Sequence, residues 1–340
     1  MRRYPEEVGG GWAAGSAVQA HRSPLRIQLF LLVKIVLTLA VLGLLIITIH
    51  PREIVGAVRG ANFPLVAVSL VLVLPGITLK ALKWGYLLKQ VKPSVSLSEV
   101  WNTLLVGFTF AVVTPGQIGE VGRAFFISGR PRLELIGLSF IDKWFNLLPI
   151  ILFGSLSLLL LPGLVMDGNT YLFVSCGVLV ALLWFALLLI TLSPRWVRDF
   201  FYAINIMLPY RDKVKILLSG LDPIARRQAL VLTILGVAHY LVYIVQFYLL
   251  VRSFHSVAFF DSFRASAATI FVKAALPISI GGLGVGETAA VGFYRLFDVS
   301  QAAAFNSSVL LFSMNVLLPA VIGVLVLLKL RIVLEEQNHE

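Results

Sequence analysis

The 340-residue chain is too hydrophobic for a water-soluble protein. Hydrophobic residues make up 59% of it and charged residues 13%, against about 25% charged residues in a typical soluble domain. A net charge of +11 would indicate a nucleic-acid partner in a soluble protein, but basic loops beside anionic lipid headgroups account for it in a membrane protein. The composition therefore predicts a lipid-embedded protein without a nucleic-acid partner. The single cysteine, Cys176, excludes a disulfide framework.

The chain begins with residues 1–25, which contain charges and no apolar signal core, so we expect a mobile cytoplasmic N-terminus. A transmembrane domain follows over 26–330, and 331–340 form a polar tail. A spanning helix needs about 20 mostly apolar residues. Six segments satisfy this requirement and are predicted to span: 26–49, 63–88, 133–161, 170–193, 226–252 and 300–330.

Two further apolar regions, 100–127 and 263–297, are interrupted by proline and glycine. Each arm is about half a membrane long at a rise of about 1.5 Å per residue. Ser98 and Asp261 are the predicted N-caps at their beginnings. Broken backbone at membrane depth needs protein or water around it. We therefore predict an all-α polytopic membrane protein with six spanning helices and two re-entrant helical hairpins.

The predicted order of elements repeats with inverted topology, in halves covering about 26–161 and 170–330. Lysines and arginines concentrate in the loops on the side of the N-terminus, including the block 195–227. The positive-inside rule then places both termini in the cytoplasm of a multi-pass protein of the cell membrane. The linker 194–224 has an apolar helical face and is predicted to lie in the cytoplasmic interface.

The first break, "TPGQIGEVGRAFFI", predicts a site for an anionic group. Pro115 disfavours helix at Thr114, and a helix that restarts near Gln117 would point free N–H groups at a phosphate or carboxylate. Arg123 would lie near the cytoplasmic mouth, where it suits phosphate. Glu120 would hold a cation, take a proton, or form an i,i+3 salt bridge with Arg123. The candidate residues are Thr114, Pro115, Gly116, Gly119, Glu120 and Arg123.

The second break, "LPISIGGLGVGETAAVGFY", is too rich in glycine for a continuous helix. Its amides could form an anion nest, although close packing through small residues is the alternative. A dinucleotide fingerprint is excluded because Glu287 occupies the place of the third glycine. Asp142 and Lys143 interrupt the third span, where charges usually face the interior or a water-filled cavity. The candidate residues are Asp142, Lys143, Lys273, Gly281, Gly282, Gly284 and Glu287.

These motifs, with "SFIDKW" between them, resemble the transmembrane region of lysylphosphatidylglycerol synthases and the stand-alone flippase-like proteins grouped with it. The resemblance covers 26–330. Two departures are Gly286, which precedes the second Glu where the family often has arginine, and the pair Asp142-Lys143, where the family often has Asp-Arg. The resemblance implies transfer of a lipid between leaflets, without the soluble domain that makes the aminoacyl lipid. The family pattern falls on Pro115, Gly116, Gly119, Glu120, Arg123, Asp142, Pro277, Gly281, Gly282, Gly284 and Glu287.

Three functions remain open at this point. The first is a lipid translocator for a phospholipid or polyprenyl-linked lipid with a phosphate-bearing headgroup, coupled to a proton or another ion and without a cofactor or metal. The second is a membrane-embedded lipid or polyprenyl-phosphate modifying enzyme, although no catalytic cluster stands out. The third is a non-catalytic membrane partner of a synthase on another chain. The sequence does not determine the oligomeric state.

Overall fold

The computed structural model describes residues 51–114, 116–162, 170–193, 211–219, 224–279 and 281–337, together with Gly43 and Ile47. The predicted N-terminus 1–25, almost all of the span 26–49, most of the linker 194–224 and Pro115 lie outside these residues. Every regular element in the described part is a helix. These are α1 (Pro51–Arg59), α2 (Phe63–Val71), α3 (Val73–Val91), α4 (Leu97–Val113), a 3₁₀ helix (Ile118–Phe126), α5 (Arg132–Leu159), α6 (Thr170–Leu192), α7 (Arg211–Leu218), α8 (Arg226–Phe254), α9 (Phe259–Ala275), α10 (Val285–Arg295), α11 (Gln301–Phe312), a π turn (Ser313–Leu317) and α12 (Leu318–Gln337).

Four described helices are long and apolar enough to cross a membrane: Phe63–Val91, Arg132–Leu159, Arg226–Phe254 and Gln301–Lys329. They coincide with four of the six predicted spans, and α6 lies on a fifth. Large apolar side chains such as Leu179, Phe185 and Leu325 are exposed on the surface, as expected of helices that face lipid. The prediction of an all-helical, multi-pass membrane protein is confirmed, while the exact number of spans stays a prediction.

The helices are interrupted at both of the places expected from the sequence. The first gap separates α4 from the 3₁₀ helix, and the second separates α9 from α10. The predicted N-caps are wrong. Ser96 caps α4 and accepts a hydrogen bond from the amide of Glu99, while Ala258 precedes α9 and Asp261 lies in its first turn. The error arises because an apolar residue, Leu97 or Phe259, already forms the first helical position.

The two arms at each gap pack against each other. A Cβ atom at Gly119 would overlap the Phe110 carbonyl oxygen, so glycine lets the 3₁₀ helix lie directly on α4. In the second pair, the Tyr294 hydroxyl on α10 lies 2.8 Å from Ser262 Oγ and 2.6 Å from Ser266 Oγ on α9. We call α4 with the 3₁₀ helix the first hairpin, and α9 with α10 the second hairpin.

Two of the long helices are not regular rods. Pro149 within α5 has no amide N–H, so the carbonyl of Phe145, four residues earlier, loses its helical partner. Gly236 of α8 packs directly on that carbonyl, where a Cβ atom would overlap it. The helix from Gln301 contains the π turn Ser313–Leu317 just before Pro319. It ends at Gln337, within the segment expected to be a polar tail.

Candidate functional site

The tip of each hairpin is the turn that joins its two helices, and the two tips meet. The amide of Gly281 donates to the Thr114 carbonyl at 3.4 Å, and Gln117 Nε2 donates to the Gly281 carbonyl at 3.5 Å. A Cβ atom at Gly116 would lie 2.6 Å from Pro277 Cβ. The turns need left-handed backbone, with φ of 57° at Gly116, 56° at Gln117 and 81° at Gly282. Glycine adopts this conformation without strain, which explains why both breaks are rich in it.

A cavity of about 220 Å³ opens beside the meeting tips. Three spanning helices, both tips and the π turn form its walls. The polar or charged side chains and tip residues on these walls are Lys80, Gly116, Gln117, Glu120, Lys143, Asn146, His239, Tyr240, Tyr243, Lys273, Gly281, Gly282 and Asn315. Six of the candidates predicted from the sequence therefore come together at this cavity: Gly116, Glu120 and Lys143 from the first half of the chain, and Lys273, Gly281 and Gly282 from the second.

Three lysines face this cavity. Lys80 Nζ lies 3.9 Å from Glu120 Oε1. Lys143 Nζ donates to the carbonyl of Gln117 at 2.6 Å and also lies 3.4 Å from the carbonyl of Gly116. Lys273 lies against Gly282, where a Cβ atom would overlap its Cε, and its Nζ is 5.5 Å from the centre of the Phe312 ring. Among the described residues, neither Lys143 nor Lys273 has a carboxylate within ion-pair distance.

A buried ionic cluster stands behind the first tip. Arg123 Nη2 donates to Asp142 Oδ2 at 2.6 Å, and Lys83 Nζ lies 3.1 Å from Asp142 Oδ1. The guanidinium of Arg123 also lies 3.6 Å from the centre of the Trp84 ring, close enough for a cation–π interaction. Lys83 donates to Asn146 as well. Because charges in a low-dielectric interior need compensation, this cluster fixes the 3₁₀ helix to α3 and α5.

Arg123 differs from the sequence expectation. It was expected near an open cytoplasmic mouth, but its side chain is fully buried. Its Nη1 lies 3.7 Å from Glu120 Oε1, which is the i,i+3 pair considered for Glu120. The buried partner Asp142 lies on another helix, and nothing in the local sequence indicates that pairing. Arg123 therefore holds the first tip in place and does not face the cavity.

Glu287 is not part of the cavity wall. Its Oε2 accepts a hydrogen bond from the Gly284 amide at 2.5 Å, and its Oε1 accepts one from Ser308 Oγ at 3.1 Å. This is the reciprocal capping arrangement of a helix N-terminus, and the carboxylate is fully buried. The two Gly-Glu pairs of the sequence therefore occupy different environments, since Glu120 lies at the cavity and Glu287 caps α10.

The sequence reasoning missed several residues that belong to this region. Lys80 and Lys83 are not among the candidates from the sequence, because lysines near span ends can extend to the interface, yet Lys83 is buried and Lys80 faces the cavity. Their spacing of three residues, which places both on one helix face, was the available signal. Tyr240 and Asn315 were also missed, and the π turn beside Asn315 has no clear sequence signature. Within the described ranges, no three His, Cys, Asp or Glu residues are grouped as metal ligands.

Comparison with known proteins identifies one family. The model for the lysylphosphatidylglycerol synthase TM region matches residues 31–323. The match covers both hairpins, the ionic cluster and the cavity, and it agrees with the resemblance seen in the motifs. No curated protein matches the chain.

Proposed function

Because the chain belongs to the lysylphosphatidylglycerol synthase TM region family, we propose that it is a flippase-like translocator, which moves a phospholipid or polyprenyl-linked lipid between the two leaflets. The family and the apolar helices indicate a membrane function connected with lipids. The polar head is the obstacle to such movement, because charged groups are costly within the hydrocarbon core. A translocator must therefore offer the head a polar site inside the protein.

The observation that carries this proposal is the meeting of two interrupted hairpins around a charged cavity. Lys80 and Glu120 come from the first half of the chain, and Lys273 with Gly282 from the second. Transporters built from inverted repeats bind their substrates at such broken helices, where the repeats meet. Apolar residues such as Ile77, Ile150 and Val316 complete the walls and suit the beginning of acyl chains.

We infer that the hairpins are re-entrant and enter from opposite sides of the membrane. In an alternating-access cycle, one hairpin would move relative to the other and open the cavity first to one leaflet and then to the other. The direct hydrogen bonds between the tips are long, at 3.4 and 3.5 Å. Such bonds contribute little to stability, so the tips can separate without a large penalty.

Transport is tested by reconstituting the full chain into liposomes with labelled lipids of several headgroups and scoring movement between leaflets. We expect movement of at least one lipid by the native chain, and slower movement in Glu120→Gln and Lys143→Gln. Lys329→Gln, at an exposed position within α12, is the matched control and should transport normally. Absence of movement with every headgroup contradicts the proposal, and a chemically altered lipid would favour the enzyme.

The entry sides of the hairpins are tested with single cysteines in a Cys176→Ala background. Ser128 follows the first hairpin and Ser256 precedes the second, and both are exposed. We expect an impermeant maleimide added to right-side-out vesicles to label Ser256→Cys and not Ser128→Cys, with the reverse in inverted vesicles. Labelling of both from the same side would contradict the inverted repeat.

A further inference from the structure

We propose that the cavity binds a phosphate monoester, which carries two negative charges and no ammonium group. This inference rests on the proposed function, from which it takes the assumption that the phosphate belongs to a lipid. The sequence alone left room for a cationic headgroup held by Glu120. The arrangement of charges around the cavity decides between these headgroup types.

The carboxylates near the cavity already have protein partners. Asp142 pairs with Arg123 and Lys83, and both oxygens of Glu287 accept hydrogen bonds. Glu120 is the carboxylate on the wall, and it lies within 4 Å of both Lys80 and Arg123. An arriving ammonium group would therefore find no unoccupied carboxylate in the described part of the site, and it would approach several lysines.

Positive charge is in excess on the same walls. Lys80, Lys83, Arg123 and Lys143 surround only two carboxylates, Glu120 and Asp142. Across the cavity, Lys273 and Glu287 of the second hairpin balance each other in charge. Counted at their formal charges, these described residues leave an excess of two positive charges. Burying unmatched charge costs several kcal/mol, so a dianion is the ligand that completes the site.

Hydrogen-bond donors are placed to receive such a ligand. The ammonium groups of Lys80, Lys143 and Lys273 lie around the cavity. Tyr240 also lines the cavity, and its buried hydroxyl has no hydrogen-bond partner among the described residues. A phosphate monoester presents three strong acceptor oxygens and close to two charges above pH 7. Charge-assisted bonds of this type are the strong ones.

The size of the cavity is compatible with a small charged headgroup. Pockets that enclose a drug-sized ligand occupy roughly 300–1,000 Å³, whereas this cavity has about 220 Å³. A phosphate group fits within this space, so the volume agrees with the ligand class that the excess charge indicates.

The test measures binding of three lipids with identical eight-carbon chains to the purified full chain in detergent at pH 8. We expect phosphatidic acid to bind at least about tenfold more tightly than phosphatidylglycerol, and phosphatidylcholine to bind more weakly still, since each charge-assisted contact is worth about a factor of ten or more. Lys273→Gln should weaken phosphatidic acid binding about tenfold. Lys215→Gln, an exposed position on α7, should leave it unchanged.

Equal affinity for the three lipids, or tighter binding of phosphatidylcholine, would overturn the inference. Unchanged binding by Lys273→Gln, with a native unfolding profile, would also overturn it. A last measurement adds inorganic phosphate as a competitor. If it competes with phosphatidic acid at equal concentration, the dianion site stands and its source is a soluble phosphate. Selective binding of phosphatidic acid without movement of lipid between leaflets would contradict the translocator proposal and would leave the proposed dianion site standing.

Discussion

Replacing Asp142 by asparagine removes the shared partner of two buried cations. The exposed fraction of the side chain is 5% for Asp142, 2% for Lys83 and 1% for Arg123, so water cannot replace the lost charge. Breaking a buried ion pair by removing one partner costs about 3–5 kcal/mol. We expect Asp142→Asn to lower the free energy of unfolding by an amount in this range. Because the asparagine side chain has nearly the shape of aspartate, changes in packing contribute little to this loss.

The assay is reversible unfolding in mixed micelles, followed by tryptophan fluorescence, to which Trp84 beside Arg123 contributes. The double variant Asp142→Asn/Lys83→Met removes one stranded cation and should recover at least about 1 kcal/mol, since residues in one charge network couple by 0.5–3 kcal/mol. The control Asp261→Asn breaks a more exposed pair with Arg264 and should change stability by less than about 1 kcal/mol. A loss below about 1 kcal/mol for Asp142→Asn would refute the reasoning, because it is the size expected of an exposed pair.

The remaining predictions concern the two hairpins. Gly282→Ala and Gly129→Ala both place a side chain at positive φ, at 81° and 79°, so each should lose about 1–2 kcal/mol of stability. Only the new methyl group of Gly282→Ala would overlap Lys273. Lipid movement in liposomes should therefore fall in that variant alone, and an equal fall in Gly129→Ala would contradict the cavity assignment. Tyr294→Phe removes the buried hydroxyl bonded to α9 and should lose about 1–3 kcal/mol in the unfolding assay. The control Tyr171→Phe changes an exposed side chain and should leave the free energy of unfolding unchanged. An equal stability for Tyr294→Phe and Tyr171→Phe would show that the hydrogen bonds to α9 contribute nothing.

The broken helices were predictable because their signals are local. Proline cannot donate a backbone hydrogen bond, and glycine supplies the left-handed turns at Gly116 and Gly282. The four long apolar helices were predictable for the same reason, since a run of apolar residues needs no information from elsewhere in the chain. The helix beginnings were harder to predict: Ser98 was the expected cap of α4, whereas Ser96, two residues earlier, caps it in the structure.

The composition and the two interrupted motifs determined that this chain is a helical membrane protein with breaks in two helices, since lipid solvent and backbone chemistry act residue by residue. Only the tertiary structure decided what those breaks do. It buried Arg123 on Asp142, assigned Glu287 to a helix cap, and brought Lys80, Lys143 and Lys273 to one cavity. The energy of a charge depends on its neighbours in space, and these neighbours lie on helices far apart in the chain.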